Sequence, residues 1–256
     1  MVPRAAAPLT LAVPAYFAPG PLWQHLAAGA AAVGLAVANP DSGPGAAADP
    51  AYAAAIRQAQ AHGVPVLGYV CTSYGRRPAA EVAGDVERYL GWYVVDGIFF
   101  DEASADCAMQ PYYAALDRCL KAQGDALISA INPGTQTQAC YMGAADIIVT
   151  FEGTYDAYLQ AEHEPFWVHG YEAARFWHIV YAAPDAGAMR NTLALARRRR
   201  AGRVFVTDAS LPNPYNRLPL YWNAELDGVA SFASAAGSQE DEASGRQPGS
   251  AKAVGC

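Results

Sequence analysis

Several things are missing from this chain of 256 residues, and each absence removes a class of function. No apolar stretch approaches the roughly 18 uninterrupted residues that a membrane-spanning helix needs. Charge is sparse at 16% of residues and leans acidic, with 17 Lys and Arg against 24 Asp and Glu, a formal net charge of −7. That balance excludes a sequence-independent grip on nucleic acid, which requires clustered cations to displace counterions. The five cysteines, Cys71, Cys107, Cys119, Cys140 and Cys256, form no CxxC pair. Without such a pair or metal-like spacing to histidine they make no zinc site, and no metal or other cofactor is expected. No GxGxxG follows the first β-rich run, and no GxSxG elbow occurs anywhere, so neither a dinucleotide site nor an α/β-hydrolase triad is expected. Ser104 has no base near it in sequence. The apolar segment Ala5 to Val13 contains Pro8 and runs straight into a strand pattern, so no clear leader is visible.

Apolar residues, by contrast, are abundant at 53%, enough for a large buried core. Fifteen Tyr and five Trp supply either core filling or stacking surface for sugar rings. Short β-rich runs punctuated by Gly, Pro and Asn alternate with Ala-rich helical stretches. Eight strands are expected: Leu9 to Phe17, Ala32 to Asn39, Pro65 to Thr72, Gly97 to Glu102, Ala126 to Asn132, Asp146 to Glu152, Ala174 to Tyr181 and Arg203 to Asp208. Helices are expected over Pro21 to Ala31, Pro50 to His62, Pro78 to Tyr93, Pro111 to Gln123, Tyr155 to Ala161, Ala186 to Arg200 and Leu218 to Asp227, with a short turn at Gln138 to Gly143. Several begin with Pro, which the first helical turn tolerates.

Near-continuous apolar strands separated by helices imply a parallel sheet covered on both faces. Eight such units in about 250 residues imply closure into a single (β/α)8 barrel, an α/β fold of the TIM-barrel type, over residues 1–230. An open doubly wound sheet would normally stop at five or six strands. The Ser, Gly and Gln-rich residues 231–256 read as a disordered tail. The basic run Arg197 to Arg200, with Arg203, follows the apolar-periodic stretch Met189 to Ala196 and reads as a helix end, where cations complement the macrodipole. Cys71 reads as a buried free thiol, and Cys107 with Cys119 as one possible bridge.

In parallel barrels the carboxyl ends of the strands form one rim, and that rim carries the chemistry. The expected strand ends are polar: Tyr16, Asn39, Tyr69 and Thr72, Asp101 and Glu102, Asn132, Glu152, His178 and Tyr181, and Asp208. A carboxylate buried without a partner costs several kcal/mol, so three of them at the ends of apolar runs suggest use. Asp101 and Glu102 follow Gly97-Ile98-Phe99-Phe100, and strict alternation sends adjacent side chains to opposite faces. Glu152 ends the run from Ile147 two strands further round. Two carboxyl groups across a cleft can divide acid and nucleophile or base roles if their environments separate them. His178 is expected as a pocket hydrogen-bond donor or a satisfied core imidazole; His25, His62, His163 and His169 fall on helix or loop stretches. Asn39-Pro40-Asp41-Ser42-Gly43-Pro44-Gly45, Asn132-Pro133-Gly134 and Asn213-Pro214-Tyr215-Asn216 are turn-rich loops on the rim, with amides and a ring suited to sugar hydroxyls.

These motifs, with Gly68-Tyr69-Val70, Thr72, Tyr74-Gly75 and Phe151-Glu152, resemble in order and spacing the spherulin-4 family of glycoside hydrolases. That group includes fungal enzymes that cleave the exopolysaccharide galactosaminogalactan, and the match runs from about Leu11 to Asp227. The resemblance implies a barrel with an acidic cleft, endo-cleavage of α-1,4-linked N-acetylgalactosamine runs, and catalysis by Asp101, Glu102 and Glu152. It also implies an extracellular or cell-surface location, while the lack of a clear leader leaves the cytoplasm open. On this reading Glu102 and Glu152 handle the proton and Asp101 orients. A 2-acetamido carbonyl of the substrate is an alternative nucleophile. Tyr16, Asn39, Tyr69, Thr72, Asn132, His178, Tyr181, Asp208, Asn213 and Tyr215 are the expected sugar contacts. A barrel that binds glycan without cutting it, a lectin or adhesin, is the competing function. A metal-dependent deacetylase lacks its ligand set.

Overall fold

The expected alternation closes into a ring in the computed structural model, which describes residues 9–161 and 164–232. The strands are β1 (Thr10–Ala15), β2 (Val33–Ala38), β3 (Val66–Cys71), β4 (Gly97–Asp101), β5 (Ile128–Ile131), β6 (Ile147–Thr154), β7 (Phe176–Tyr181) and β8 (Arg203–Val206). They pair in sequence order, all parallel, and β8 returns to β1 through Thr10 opposite Arg203. The outer layer contains α1 (Pro21–Ala28), α2 (Pro50–Ala61), α3 (Ala79–Tyr93), α4 (Gln110–Gln123), α5 (Tyr155–Gln160), α6 (Ala186–Arg198) and α7 (residues 222–232). Between β5 and β6 only a 3-10 segment, Ala139–Gly143, occupies the place of a helix. None of these helices is long and apolar enough to cross a membrane.

Local chemistry sets the elements. Asp49 accepts from the amides of Ala51 and Tyr52 at the start of α2, with Pro50 in the first turn, and Asp185 caps α6 in the same way. The barrel interior is filled by rings: Tyr69 meets Phe99 and Phe99 meets Trp177, fixing which face of β3, β4 and β7 points to the axis. At Gly97 a Cβ would lie 2.0 Å from the Ile128 carbonyl oxygen, so only glycine lets β4 and β5 begin side by side. Glu225 on α7 is fully buried and accepts the Val206 amide, joining the last helix to β8; burial pushes its carboxyl well up.

Some expectations are corrected. Cys107 bonds to Cys140 and not to Cys119. The two partners sit on adjacent rim loops, after β4 and before β6, with Cα atoms 6.0 Å apart, whereas Cys119 is exposed on α4. Cys71 is half-buried, because β3 ends there at the open rim. The basic run does more than end α6. Arg199 donates to the carbonyls of Tyr158 and Ala161, Arg200 to Tyr171 and Arg203 to Ala174, so it binds the long β6–β7 crossover to the barrel. α7 starts four residues later than expected, beyond Pro219. His163, Cys256 and nearly all of the expected tail lie outside the described residues.

Candidate active site

Asp101 ends β4 two residues beyond Phe99 and so shares its inward face. Glu152 reaches the same space by a different route. In β6, Val149 pairs with Trp177, yet Phe151 pairs with His178, leaving Thr150 as one extra residue. That bulge sends Thr150 and Phe151 outward and returns Glu152 to the axis, the re-aiming that bulges perform beside functional sites. Without it Phe151 would occupy the mouth and Glu152 the helix layer.

Asn132, just past β5, bridges the acids. Its Nδ2 donates to Asp101 Oδ1 at 2.8 Å and to Glu152 Oε2 at 2.6 Å. Because one nitrogen serves both, the two oxygens lie no farther apart than those bonds laid end to end, about 5.4 Å. The other Glu152 oxygen, Oε1, accepts from the Tyr215 hydroxyl. Asp101 accepts in addition from the Tyr69 hydroxyl and the Glu102 amide. Burial, and next the Glu152 charge, push the Asp101 carboxyl up to about 6 despite these donors. Two carboxylates this close resist ionising together, so Asp101 gives up its proton only as pH rises through about 6.

Three tyrosines wall the pair. Tyr16 packs edge-on against Tyr69 at 5.5 Å and Tyr215 at 5.6 Å between centroids. Burial, with the neighbouring acids adding to it, raises all three phenols far enough that they remain protonated donors. Tyr215 is held by its amide donating to Asn213 Oδ1 and by its carbonyl accepting the Tyr16 amide.

Glu102 departs from strict alternation. Its φ of +48° ends the strand in the left-handed region. There its exposed carboxylate meets the Cys71 thiol at 3.3 Å, and Cys71 pairs with Asp101 in register and shares its face. The Glu102 carboxylate thus stands at the rim, next to the acid pair and outside its hydrogen-bond network, which only the Glu102 amide joins. Cys71 was missed as a mouth residue, although it ends its strand as the other rim residues do.

The remaining expected contacts divide. Tyr181, half-buried at the end of β7, faces the Tyr215 side of the mouth. Thr72 is buried and bonds to the carbonyls of Asp101 and Glu102 and to the Tyr113 hydroxyl, supporting the rim from beneath. Asn39 accepts the Gly43 amide within its own loop. Asp208 is engaged by both Arg217 nitrogens and the Leu220 amide, which hold the loop after β8 and keep its carboxyl below the ordinary value. His178 faces the helix layer, with Nδ1 at 2.8 Å from the Tyr158 hydroxyl; burial lowers it to about 3, so it is a neutral core imidazole. Among the described residues no cluster of three or more His, Cys, Asp or Glu side chains is arranged to hold a metal.

A solved structure, Sph3 from Aspergillus clavatus in complex with GalNAc, superposes with a TM-score of 0.76 at 27% identity, covering 88% of this chain and 99% of that one. A GH18 chitinase, ChiB from Flavobacterium johnsoniae, matches at a TM-score of 0.54 and 9% identity over 89% of this chain and 95% of its own, a likeness of fold alone. The barrel is therefore of the kind that glycan-acting hydrolases use. Spherulin-4 of Physarum polycephalum is 32% identical over 236 residues, which span 87% of this chain and 70% of that protein. With residues 10–229 also matching the model of the spherulation-specific family 4, the chain belongs to that family.

Proposed function

We propose that this protein is an endo-acting glycoside hydrolase that cleaves α-1,4-linked N-acetylgalactosamine runs of an exopolysaccharide. The observation that carries this reading is the Asn132-bridged pair of Asp101 and Glu152 at the barrel mouth. With the bridged oxygens no more than about 5.4 Å apart, the pair falls short of the roughly 6.5 to 9.5 Å that admits an intervening water and is compatible with double displacement. The GalNAc bound to Sph3 supports the sugar, and the tyrosine-walled cleft suits its ring.

Glu152, with a donor on each oxygen, is the proposed nucleophile. Asp101, pushed up to about 6, is the proposed proton donor to the leaving oxygen and later the base for water. This exchanges the roles that the sequence suggested for Asp101 and Glu102, because Glu102 lies outside the bridged pair; its proposed role is to contact the sugar at the rim. In an α-linked 2-acetamido sugar the acetamido group is cis to the leaving oxygen and has no backside approach. Double displacement then needs a protein carboxylate to make the attack. The Cys107–Cys140 bond supports an extracellular or cell-surface location, where disulfides persist.

The test is reducing-end release from de-branched galactosaminogalactan, with product anomers followed by NMR. Asp101→Asn and Glu152→Gln are each expected to lower turnover by at least about 10²-fold, and Glu102→Gln by less. Binding without any release from the wild type favours the lectin reading, and unchanged turnover in both variants overturns the assignment.

A further inference from the structure

We infer that Asn132 is not a sugar contact but a positioning residue, whose one amide nitrogen spaces Asp101 from Glu152 and holds both in place for the reaction. Its capacity decides this. A side-chain amide has two N–H donors, and both are spent, one on each acid. Its carbonyl Oδ1 accepts the Gly134 amide at 2.9 Å, which leaves the amide a single orientation with the nitrogen toward the acids. The sequence Asn132-Pro133-Gly134 builds that lock: Pro133 brings no amide of its own, and Gly134 takes the φ of +67° that closes the turn.

The backbone of Asn132 is pinned to the strand that carries Asp101. Its amide donates to the Phe100 carbonyl at 2.9 Å, and its carbonyl accepts from Ala103 at 2.8 Å. The residue is 7% exposed, with little surface for a ligand to touch. Asn132 and Asp101 therefore move as one body, and Glu152, arriving from the bulged strand, is tied to it through one nitrogen. Losing that nitrogen leaves two like charges facing each other across the cleft with no shared donor.

The groups that face Asp101 are Glu152 on β6, Tyr69 on β3, Tyr16 after β1 and Tyr215 after β8, with Glu102 beside it and Cys71 at the end of β3. Among these described neighbours there is no cation to replace the Asn132 donor. Removing the donor must raise the Asp101 midpoint, since the amide favours its ionised form.

Two variants of the full chain separate this role from others. Asn132→Ala removes the amide, and titration of the Asp101 carboxyl by ¹³C NMR is expected to rise by about one pH unit above the wild type. Asn132→Asp keeps an acceptor for the Gly134 amide, so the loop lock survives while the donor is lost. It is expected to lower kcat about a hundredfold on the polymer, with KM within about threefold and the basic limb of the kcat profile, where the Asp101 proton donor ionises, moved upward. An unchanged Asp101 midpoint overturns the inference, and so does a raised KM with kcat and its profile intact, the signature of a sugar contact. Only the kinetic arm rests on the glycosidase reading. If the wild type releases no reducing ends, that reading fails and the Asp101 titration still decides the role of Asn132.

Discussion

Asp101→Asn should make the protein more stable at neutral pH while impairing turnover. The Asp101 carboxyl stands at about 6 against an ordinary 3.8, a difference of about two pH units. At about 1.4 kcal/mol per unit, the ionised carboxylate costs the fold about 3 kcal/mol above pH 6. A group raised on folding favours the native state below its unfolded value, and that advantage is lost as pH rises through 6. Asparagine carries no charge to bury, but its single oxygen cannot accept all the donors now aimed at the carboxylate. One hydrogen bond forgone costs about 1 to 2 kcal/mol, leaving a net gain of about 1 to 2 kcal/mol at pH 7.5. For a domain of this size that is a rise of about 3 to 6 °C in Tm. Below pH 4 the sign reverses, since both side chains are neutral and only the lost bond remains. Thermal unfolding of wild type and variant in parallel from pH 4 to 8 reads the difference directly. The comparison also cancels His178, whose depressed value makes the wild type lose stability toward acid. A variant less stable than wild type at pH 7.5, or a difference that does not change with pH, refutes the reasoning.

Tyr215→Phe removes the donor to Glu152 Oε1 while keeping the ring against Tyr16 and Phe205; kcat should fall about 10- to 100-fold with circular dichroism unchanged. Replacing Cys107 and Cys140 by Ala opens a loop of 33 residues and should lower unfolding free energy in urea by about 3 to 4 kcal/mol. Gly97→Ala forces a methyl into the Ile128 carbonyl and should cost more than about 2 kcal/mol, measured by the same unfolding, because backbone rather than a flexible side chain must yield.

The barrel could be read from the chain because its signals are local and repeated. Apolar runs of strand length, helices opened by Pro21, Pro50 and Pro111, and the Asp49 and Asp185 caps each declare themselves within a few residues. What escaped reading depends on neighbours distant in sequence. Cys107 has Cys140 as its partner because β4 and β5 are adjacent in the ring, so their rim loops meet; sequence distance carries no trace of that. Arg199 and Arg200 reach the β6–β7 crossover rather than solvent because α5 is only 6 residues long and leaves free carbonyls behind it.

Within the site, alternation was a sound guide to Asp101 and a misleading one to the other two acids. Both departures are one-residue backbone events. At Glu102 a left-handed φ stops the strand and turns a carboxylate, which alternation sends to the helix layer, back toward Cys71 at the mouth. At Thr150 an extra residue reverses the phase of β6, so Phe151 packs on Tyr158 and His178 outside the barrel while Glu152 points in. A period-2 pattern carries no record of a single inserted residue, because each side of the bulge alternates correctly by itself. His178 follows instead from the unbroken alternation of β7. Trp177 points to the axis against Phe99, so the next residue sets its imidazole in the helix layer beside Phe151, where burial keeps it neutral and Tyr158 satisfies it. Deleting Thr150 removes only the unpaired residue, so Val149 still meets Trp177, Phe151 meets His178 and Glu152 meets Ile179. Glu152 should stay within reach of Asn132 and turnover should persist where the barrel still closes, and its loss in a folded variant would refute this register.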